Sequence, residues 1–379
     1  MTPTTMNNSN NSWSETVLEI NLDALTHNFN FLTSKINSDH VFMGVVKANA
    51  YGSDAIIIAK ELEKLGADYL AVAYSKEGIE LREAGIELPI MVLHPLPANF
   101  DILVTYKLEP AIYSVNILNH FLRFLEDDDV QHYPIHLKIN TGLNRLGFKP
   151  NQTQEIIGLI SENKSVKIHS IFSHLVASED QNETELTQTQ IRQLEETASV
   201  ISESLGYRPM LHCSNTASMV KYSQEQFDMV RVGMGLYGYT YDSEINQQLR
   251  PVTTLKTVIS QMHHLQPGDS VGYNRGFIAN KPIKSATLPV GHADGIPRKL
   301  GKGKGWVVIN GQKAHIIGNV CMDMIMVDVS EILCEEGQEV IVFGENNPAD
   351  MLAEAADTIT YELISGISSR IERKIIRDN

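Results

Sequence analysis

A lysine follows the apolar run VFMGVV (41–46) and opens the small-residue stretch KANAYG (47–52). An amine at the end of a buried strand has two uses. The ordinary one is snorkelling, with the stem covering apolar surface and the charge in water. The chemical one needs a desolvated amine, whose lowered pKa makes it a neutral nucleophile. Lys47 is not alone in this placement. Lys138 ends IHLKI (135–139), Arg145 follows in NTGLNRLGF, and His174 ends IHSIFS (168–173). Ser214, Asn215 and Thr216 follow MLHC, while Arg231 and Gly233 end DMVRVG (228–233), with Gly235 just beyond. Hydroxyls, an amide and a glycine pair that lets backbone N–H groups come close suit an anion such as phosphate. A phosphate site beside a lysine amine points to pyridoxal phosphate, held as a Schiff base through Lys47. Each residue also has a structural reading: His174 as a packed hydrogen-bonder, Asn215 as a helix cap, Arg231 as an ion-pair partner. Their joint placement favours the chemical reading.

That placement depends on the elements. Eight apolar runs lie between about 40 and 250; besides those above they include YLAVA (69–73), PIMVLH (89–94) and EPAIY (109–113). Helical patterns separate them, such as AIIIAKELEKLG (55–66), whose apolar residues recur at helical spacing before Gly66. Alternating strands and helices form either a parallel barrel or an open doubly wound sheet. The count of eight favours the barrel, and no GxGxxG follows the first run to support a dinucleotide fold. In a parallel barrel the active site lies at the C-terminal ends of the strands, where these residues fall. After Pro251 short strands dominate, with Asn310-Gly311 as a hairpin signal and a single helix expected over about 350–365, capped by Asp350. The expected fold class is α/β: a (β/α)8 TIM-like barrel followed by a smaller, mostly antiparallel β domain. The expected boundaries are a disordered tail at 1–13, a cofactor-binding barrel at 14–250 and a C-terminal β domain at 251–379.

The formal charge of −15 argues against nucleic acid or an anionic membrane as partner. Three widely spaced cysteines without a CxxC argue against a disulfide framework or a metal site and for a reducing compartment. No run of about 18 apolar residues is long enough to span a membrane, and the polar N-terminus does not read as a secretory signal. A cytoplasmic location is the expectation.

KANAYG after a strand resembles the cofactor-lysine signature of the alanine racemases. The likeness runs from about residue 16 to 379. LEINLDALTHNFNFL (18–32), HLKINTGLNRLGF (136–148), IFSHLVASED (171–180), HCSNTAS (212–218), MVRVGMGLYGY (229–239), VGYNRGF (271–277), TLPVGHADG (287–295) and GNVCMDMIMVD (318–328) follow in the family's order. The resemblance implies a pyridoxal-phosphate enzyme interconverting L- and D-alanine with two bases. Lys47 carries the cofactor and serves as one base; Tyr273, from the partner subunit of a head-to-tail homodimer with shared sites, is the other. It implies that Tyr51, Thr216, Gly233 and Met234 contact the phosphate, and Asn215 is expected in the same cofactor site. Arg145 binds the phenolic oxygen and lies near the substrate carboxylate. His174 lies by the ring and bonds Arg231, and Arg231 faces the pyridine nitrogen. Met322 of the partner subunit meets the substrate carboxylate, His292 lies at the cofactor mouth, and Lys138 matches a lysine often carbamylated. D-Alanine supply for peptidoglycan in a bacterial cytoplasm follows from the same likeness.

Two bases make chemical sense, because racemisation removes a proton from one face of Cα and delivers one to the other. Lysine and tyrosine titrate near 10 when unperturbed, so a cationic, partly dry site must lower both. Several positions depart from the family pattern. His292 stands where tyrosine is usual, Ser53 for histidine, Asn140 for aspartate, Gly272 for serine and Ser369 for a phosphate-binding tyrosine. Other readings stay open: a decarboxylase of the same cofactor-fold class, a non-catalytic pyridoxal-phosphate-binding protein, and a racemase of broader substrate range.

Overall fold

The computed structural model describes residues 15–222 and 226–378, so the expected tail at 1–13 lies outside the described residues. Two compact units result: 21–252 with 377–378, and 15–20 with 253–376.

The first unit is built on eight parallel strands. They are β2 (Val41–Val45), β3 (Tyr69–Val72), β4 (Ile90–Val92), β5 (Glu109–Ile112), β6 (Tyr133–Lys138), β7 (Val166–Phe172), β8 (Met210–His212) and β9 (Met229–Val232). Each of the eight expected apolar runs falls on one of them, with β6 and β7 starting two residues before theirs. The sheet order is β8-β7-β6-β5-β4-β3-β2-β9. Backbone bonds from Asp228 N–H to Leu211 O (3.0 Å) and from Arg231 N–H to Ser214 O (2.9 Å) link its two edges into a nearly closed barrel. Helices connect successive strands, and each hides an apolar stripe. Val115–Asp127 buries Ile117, Leu118, Phe121, Leu122 and Leu125, and Ser114 caps its start. Ala55–Leu65 is capped by Asp54 and stops at Gly66, where φ is +90°.

The interior of this barrel is partly polar, with His136, Ser170 and His212 all fully buried. Tyr69 of β3 meets the ring of His169 of β7 at 6.0 Å. These strands are not neighbours in the sheet, so the contact crosses the interior.

The second unit carries a nine-stranded sheet with the order β11-β14-β17-β16-β15-β18-β10-β1-β19. Its strands are β1 (Thr16–Asn21), β10 (Thr253–Val258), β11 (Gln261–Leu265), β14 (Ile283–Leu288), β15 (Trp306–Ile309), β16 (Gln312–Ile317), β17 (Ile325–Asp328), β18 (Glu339–Phe343) and β19 (Glu372–Ile376). A small pair, β12 (Ser270–Val271) with β13 (Phe277–Ile278), stands apart. Antiparallel pairing joins β10 to β1 and β18, β11 to β14, β14 to β17 and β15 to β16. Ile309 pairs with Gln312, and Asn310 and Gly311 both take positive φ (49° and 76°), the two-residue hairpin their types require.

Two expectations need correction. The barrel was expected to begin at residue 14, but β1 pairs in register with β10, so among the described residues 15–20 belong to the second unit. Thr16, Leu18 and Ile20 are buried and Val17, Glu19 and Asn21 half-buried, an alternation that suits a sheet with one covered side. The single helix over 350–365 is two, Ala349–Ala355 and Thr360–Ser365. Asp357 turns to φ +56° between them and ends the first. Pro348 holds the cap position, and Asp350 accepts from Met351 N–H instead.

Candidate active site

Directly after β2, the KANAY segment does something its residues do not favour. Ala48, Asn49, Ala50 and Tyr51 take φ of 53°, 52°, 51° and 55°, a left-handed turn. Each such residue with a Cβ costs roughly 1–2 kcal/mol. The turn is held by its own bonds, Ala50 N–H to Val46 O and Gly52 N–H to Ala48 O, both 2.9 Å. Two side chains clamp it from outside. Glu77 accepts from Ala48 N–H at 2.6 Å and from Ala73 N–H at 2.7 Å, and Asn49 accepts from Ala55 N–H at 2.8 Å. Strain of this kind persists where surrounding structure enforces it, most often at functional sites. Its effect here is to fix the lysine at the strand end. Burial lowers the Lys47 pKa; the charges of Arg145 and Arg231 lower it too, while Glu77 opposes them.

Arg231, on β9, is 7% exposed. Its Nη1 donates to His212 Nδ1 at 2.7 Å, and its Nη2 to Ser173 O at 2.8 Å and Cys213 O at 3.2 Å. His174 Nδ1 lies farther, 3.4 Å from Nη2. The resemblance pointed to His174 as the imidazole partner of Arg231; the closer one is His212. Phe172 backs both: the His212 ring stacks on it at 5.0 Å and the guanidinium lies over it at 5.3 Å. Burial pushes the Arg231 pKa down to about 10, which leaves it cationic at neutral pH. Burial, then Arg231, Arg145, Lys138 and Lys47, push His174 down to about 3, so its ring is neutral.

The residues expected to face the phosphate, Tyr51 apart, lie where β8 and β9 end. A Cβ built on Gly233 would fall 2.4 Å from the Tyr51 hydroxyl, and one on Gly235 would fall 2.5 Å from Thr216 Cγ2. Tyr51 is buried, its ring 4.6 Å from Tyr237, whose hydroxyl donates to Val45 O at 2.9 Å. Burial raises the Tyr51 pKa, so it keeps its proton. Thr216 begins a short helix and accepts from Gly235 N–H at 3.4 Å. Asn215 caps that helix, accepting from Ser218 N–H at 2.9 Å, and Met234 is buried behind the glycines. The cap reading of Asn215 therefore holds in the structure.

Lys138, on β6, is 6% exposed with its Nζ 5.8 Å over Phe172. Burial, then Arg145, Arg231 and Lys47, bring its pKa down to about 8. The following loop is folded on itself. Asn140 N–H donates to Phe148 O at 2.7 Å and Phe148 N–H to Lys138 O at 2.8 Å. Gly147 has φ +130°, and a Cβ there would fall 2.7 Å from Asn140 N. Asn140 accepts from Asn144 N–H at 2.9 Å and donates to Asn144 Oδ1 at 3.0 Å, a pair of roles an aspartate could only half fill. This loop carries Arg145, which is exposed.

The residues of the first unit fit a phosphorylated pyridine aldehyde. There is an amine for the aldehyde, a glycine whose Cβ would close the cradle, a buried cation for the ring nitrogen and a neutral imidazole beside it.

The second unit holds the remaining expected residues. Tyr273 is 74% exposed, and Asn319 Nδ2 donates to its carbonyl at 2.9 Å. The departure at Gly272 has a backbone reason: φ is +74° and ψ 179°, a region glycine alone adopts without strain. Tyr273, Cys321, Met322, Met324 and Met326 line a cleft of about 640 Å³. Met322 O accepts from Ala293 N–H and Cys321 O from His292 N–H, each at 2.9 Å, so those two loops are tied to each other. Gly291 permits this, because a Cβ there would fall 2.3 Å from Met322 O. Asp294 and Arg370 complete the clamp: Asp294 accepts from Gly291 N–H (2.8 Å) and Arg370 Nε (2.6 Å), and Arg370 also reaches Asp323 (2.8 Å). Ser369, beside Arg370, is exposed, as is His292.

Sequence reasoning did not single out Glu77, His212, Asp294 or Arg370. HCSNTAS and GHADG had brought His212 and Asp294 into view, and their neighbours drew the attention. Among the described residues no helix is long and apolar enough to cross a membrane, and no cluster of His, Cys, Asp or Glu is arranged to hold a metal ion.

Comparison with known proteins agrees along the chain. The family model for the alanine racemase N-terminal domain matches residues 20–241, and that for the alanine racemase C-terminal domain matches 252–375. An alanine racemase of Halothermothrix orenii is 37% identical over 364 residues, covering 94% of this chain and 95% of that protein. Alanine racemase of Clostridium difficile 630 superposes with a TM-score of 0.91 at 32% identity over 97% of both chains. The structure of alanine racemase from Bartonella henselae with covalently bound pyridoxal phosphate gives 0.88 at 26% identity, covering 96% of this chain and 100% of that one. The chain belongs to the alanine racemase family, isomerases that act on amino acids.

Proposed function

We propose that this chain interconverts L- and D-alanine with pyridoxal phosphate held at Lys47, using Lys47 and Tyr273 of the partner subunit as the two proton-handling groups. The observation that carries the reading is the meeting of Lys47, Arg231 and the Gly233 cradle at one barrel rim. When bound, the cofactor draws electron density from the substrate Cα and so makes its proton removable. Lys47 Nζ is suited to take and return that proton, because burial and the nearby arginines favour its neutral form. Tyr273 presents its hydroxyl outward from its own unit, available to a site completed by a second copy. Arg231 would face the ring nitrogen as a donor and, as a cation, would keep that nitrogen unprotonated, which would restrain side reactions such as transamination. Arg145 and the Met322 backbone of the partner subunit orient the substrate carboxylate, and Lys138, as a carbamate, orients Arg145. Tyr51, Asn215, Thr216, Gly233 and Met234 hold the phosphate.

A head-to-tail homodimer, a bacterial cytoplasm and D-alanine supply for peptidoglycan belong to the same reading. His292 favours one variation, a wider range of small amino acids, because it replaces a bulkier tyrosine beside Met322. The test is D-alanine formation from L-alanine by purified protein with pyridoxal phosphate added, with L-serine run in parallel. D-alanine from wild type and none from Lys47→Ala supports the reading. A protein that takes up the cofactor yet makes no D-amino acid contradicts it.

A further inference from the structure

The polar array does not end at Arg231. His212 receives the guanidinium on Nδ1, and its Nε2 lies 2.8 Å from Ser170 Oγ. Ser170 Oγ lies 2.7 Å from His136 Nδ1, and His136 Nε2 lies 2.8 Å from Glu109 Oε2. Tyr69 donates its hydroxyl to the same carboxylate oxygen at 3.1 Å. His136, Ser170 and His212 are each 0% exposed. The series passes through β9, β8, β7, β6 and β5 in turn. It starts near the C-terminal rim and ends at the first residue of β5, toward the other end of the barrel.

Proton positions along it follow from one another. A guanidinium has donors only, so His212 Nδ1 accepts as long as the two are bonded. Burial keeps His212 neutral, so its single proton sits on Nε2 and goes to Ser170. Ser170 has accepted one bond and spends its own proton on His136 Nδ1. His136 then carries its proton on Nε2 and donates to Glu109. Burial, the largest influence on Glu109, favours its neutral form. The hydrogen bonds from His136 and Tyr69, with the imidazole of His169 close by, outweigh it and hold the carboxyl below the ordinary range. The chain thus runs from a buried cation to a carboxylate with every donor pointing one way. His169, 5.8 Å from His136, is the further imidazole beside it.

We propose that Glu109 is a positioning residue for the reaction: through His136, Ser170 and His212 it selects the histidine tautomers that leave His212 Nδ1 free to hold Arg231 at the rim. Which nitrogen of a histidine carries the proton is set by the bond the other nitrogen makes, so an acceptor-only group at the far end orders the whole series. The consequence for catalysis rests on the reading of Arg231 given above; the tautomers do not.

The test uses ¹⁵N-histidine-labelled protein without cofactor, its signals assigned by substituting His136 and His212. Wild type should show both rings protonated on Nε2. Glu109→Gln offers a donor as well as an acceptor, and should populate the Nδ1-protonated form at both positions. Ser170→Ala, a milder change should the first fail to fold, should disturb His212 and leave His136 on Nε2. In the loaded enzyme both variants should lower kcat about tenfold with KM within about twofold. A wild-type His212 protonated on Nδ1, or tautomers unmoved by Glu109→Gln, would overturn the proposal. If the tautomers behave as stated while wild type makes no D-alanine, the relay stands and the racemase reading fails.

Discussion

Gly233 and the Tyr51 hydroxyl are packed so closely that a methyl group on the glycine would fall 2.4 Å from the oxygen. Neither side can give easily. Tyr51 is buried in a left-handed turn and its ring is packed against Tyr237. Gly233→Ala should therefore displace Tyr51 from the phosphate end of the site. The expected result is a Kd for pyridoxal phosphate raised about tenfold or more, near 1.4 kcal/mol, with about 1–3 kcal/mol lost in stability from overpacking. Fluorescence titration of the cofactor checks the first and urea unfolding the second. Unchanged affinity would show that the close packing has no part in binding.

The buried amine of Lys138 invites reaction with carbon dioxide. With its pKa near 8, an appreciable fraction is neutral at pH 7.5. The neutral nitrogen adds to the carbon of CO2 and releases one proton, leaving a carbamate anion that suits Arg145 and relieves the cost of burying a cation. Protein equilibrated with ¹³C-bicarbonate should give a carbamate resonance that Lys138→Ala abolishes. A spectrum without that resonance at pH 8 would remove the carbamate from the account.

Stability should fall as the solution is acidified below the ordinary histidine range. His174 and His212 are neutral in the folded chain, whereas unfolded histidines take a proton near pH 6.5. Their folded pKa values are depressed, so the unfolded state binds more protons. The associated stability is present above about pH 6.5 and lost as pH falls, for His174 down toward about 3. Each contributes a slope of about 1.4 kcal/mol per pH unit inside its window. Urea unfolding at pH 7, 6 and 5 measures it, and a flat profile over that range would mean that these rings are charged in the folded protein.

Gly272 shows why this chain departs from its family at that position. Serine there would have to adopt φ +74° with ψ 179°, which costs a residue with a Cβ about 1–3 kcal/mol. Gly272→Ser should lower Tm and shift the adjacent Tyr273, reducing kcat more than it raises KM. An unchanged Tm would mean that the backbone here relaxes to accept the side chain.

The sequence was most informative where the pattern is local. Eight strands and their helices were legible because apolar runs alternate with helical spacing, and Asn310-Gly311 announced its turn by residue type. The rim followed from one rule, that barrel residues just past strand ends share a face. Less visible were β11, β12, β13 and β19, whose short or half-exposed runs resemble loops, and β1, whose partner β10 lies more than 200 residues away in the chain. The left-handed turn after Lys47 was not legible at all, since alanine and tyrosine have no preference for it and the clamp by Glu77 and Asn49 exists only in the folded chain. Glu109 and His136 were invisible for a related reason. Nothing marks an acid at the start of one strand and a histidine in the next as partners until barrel closure turns both inward.

The claim that one site uses Lys47 of one subunit and Tyr273 of the other is open to a single direct measurement. Lys47→Ala and Tyr273→Phe chains, each nearly inactive alone, are co-expressed with different tags and the mixed dimers isolated. Every mixed dimer then carries one site with both groups intact and one with neither, so it should recover about half the racemase activity of a wild-type dimer. Mixed dimers as inactive as their parents would contradict the shared two-base site.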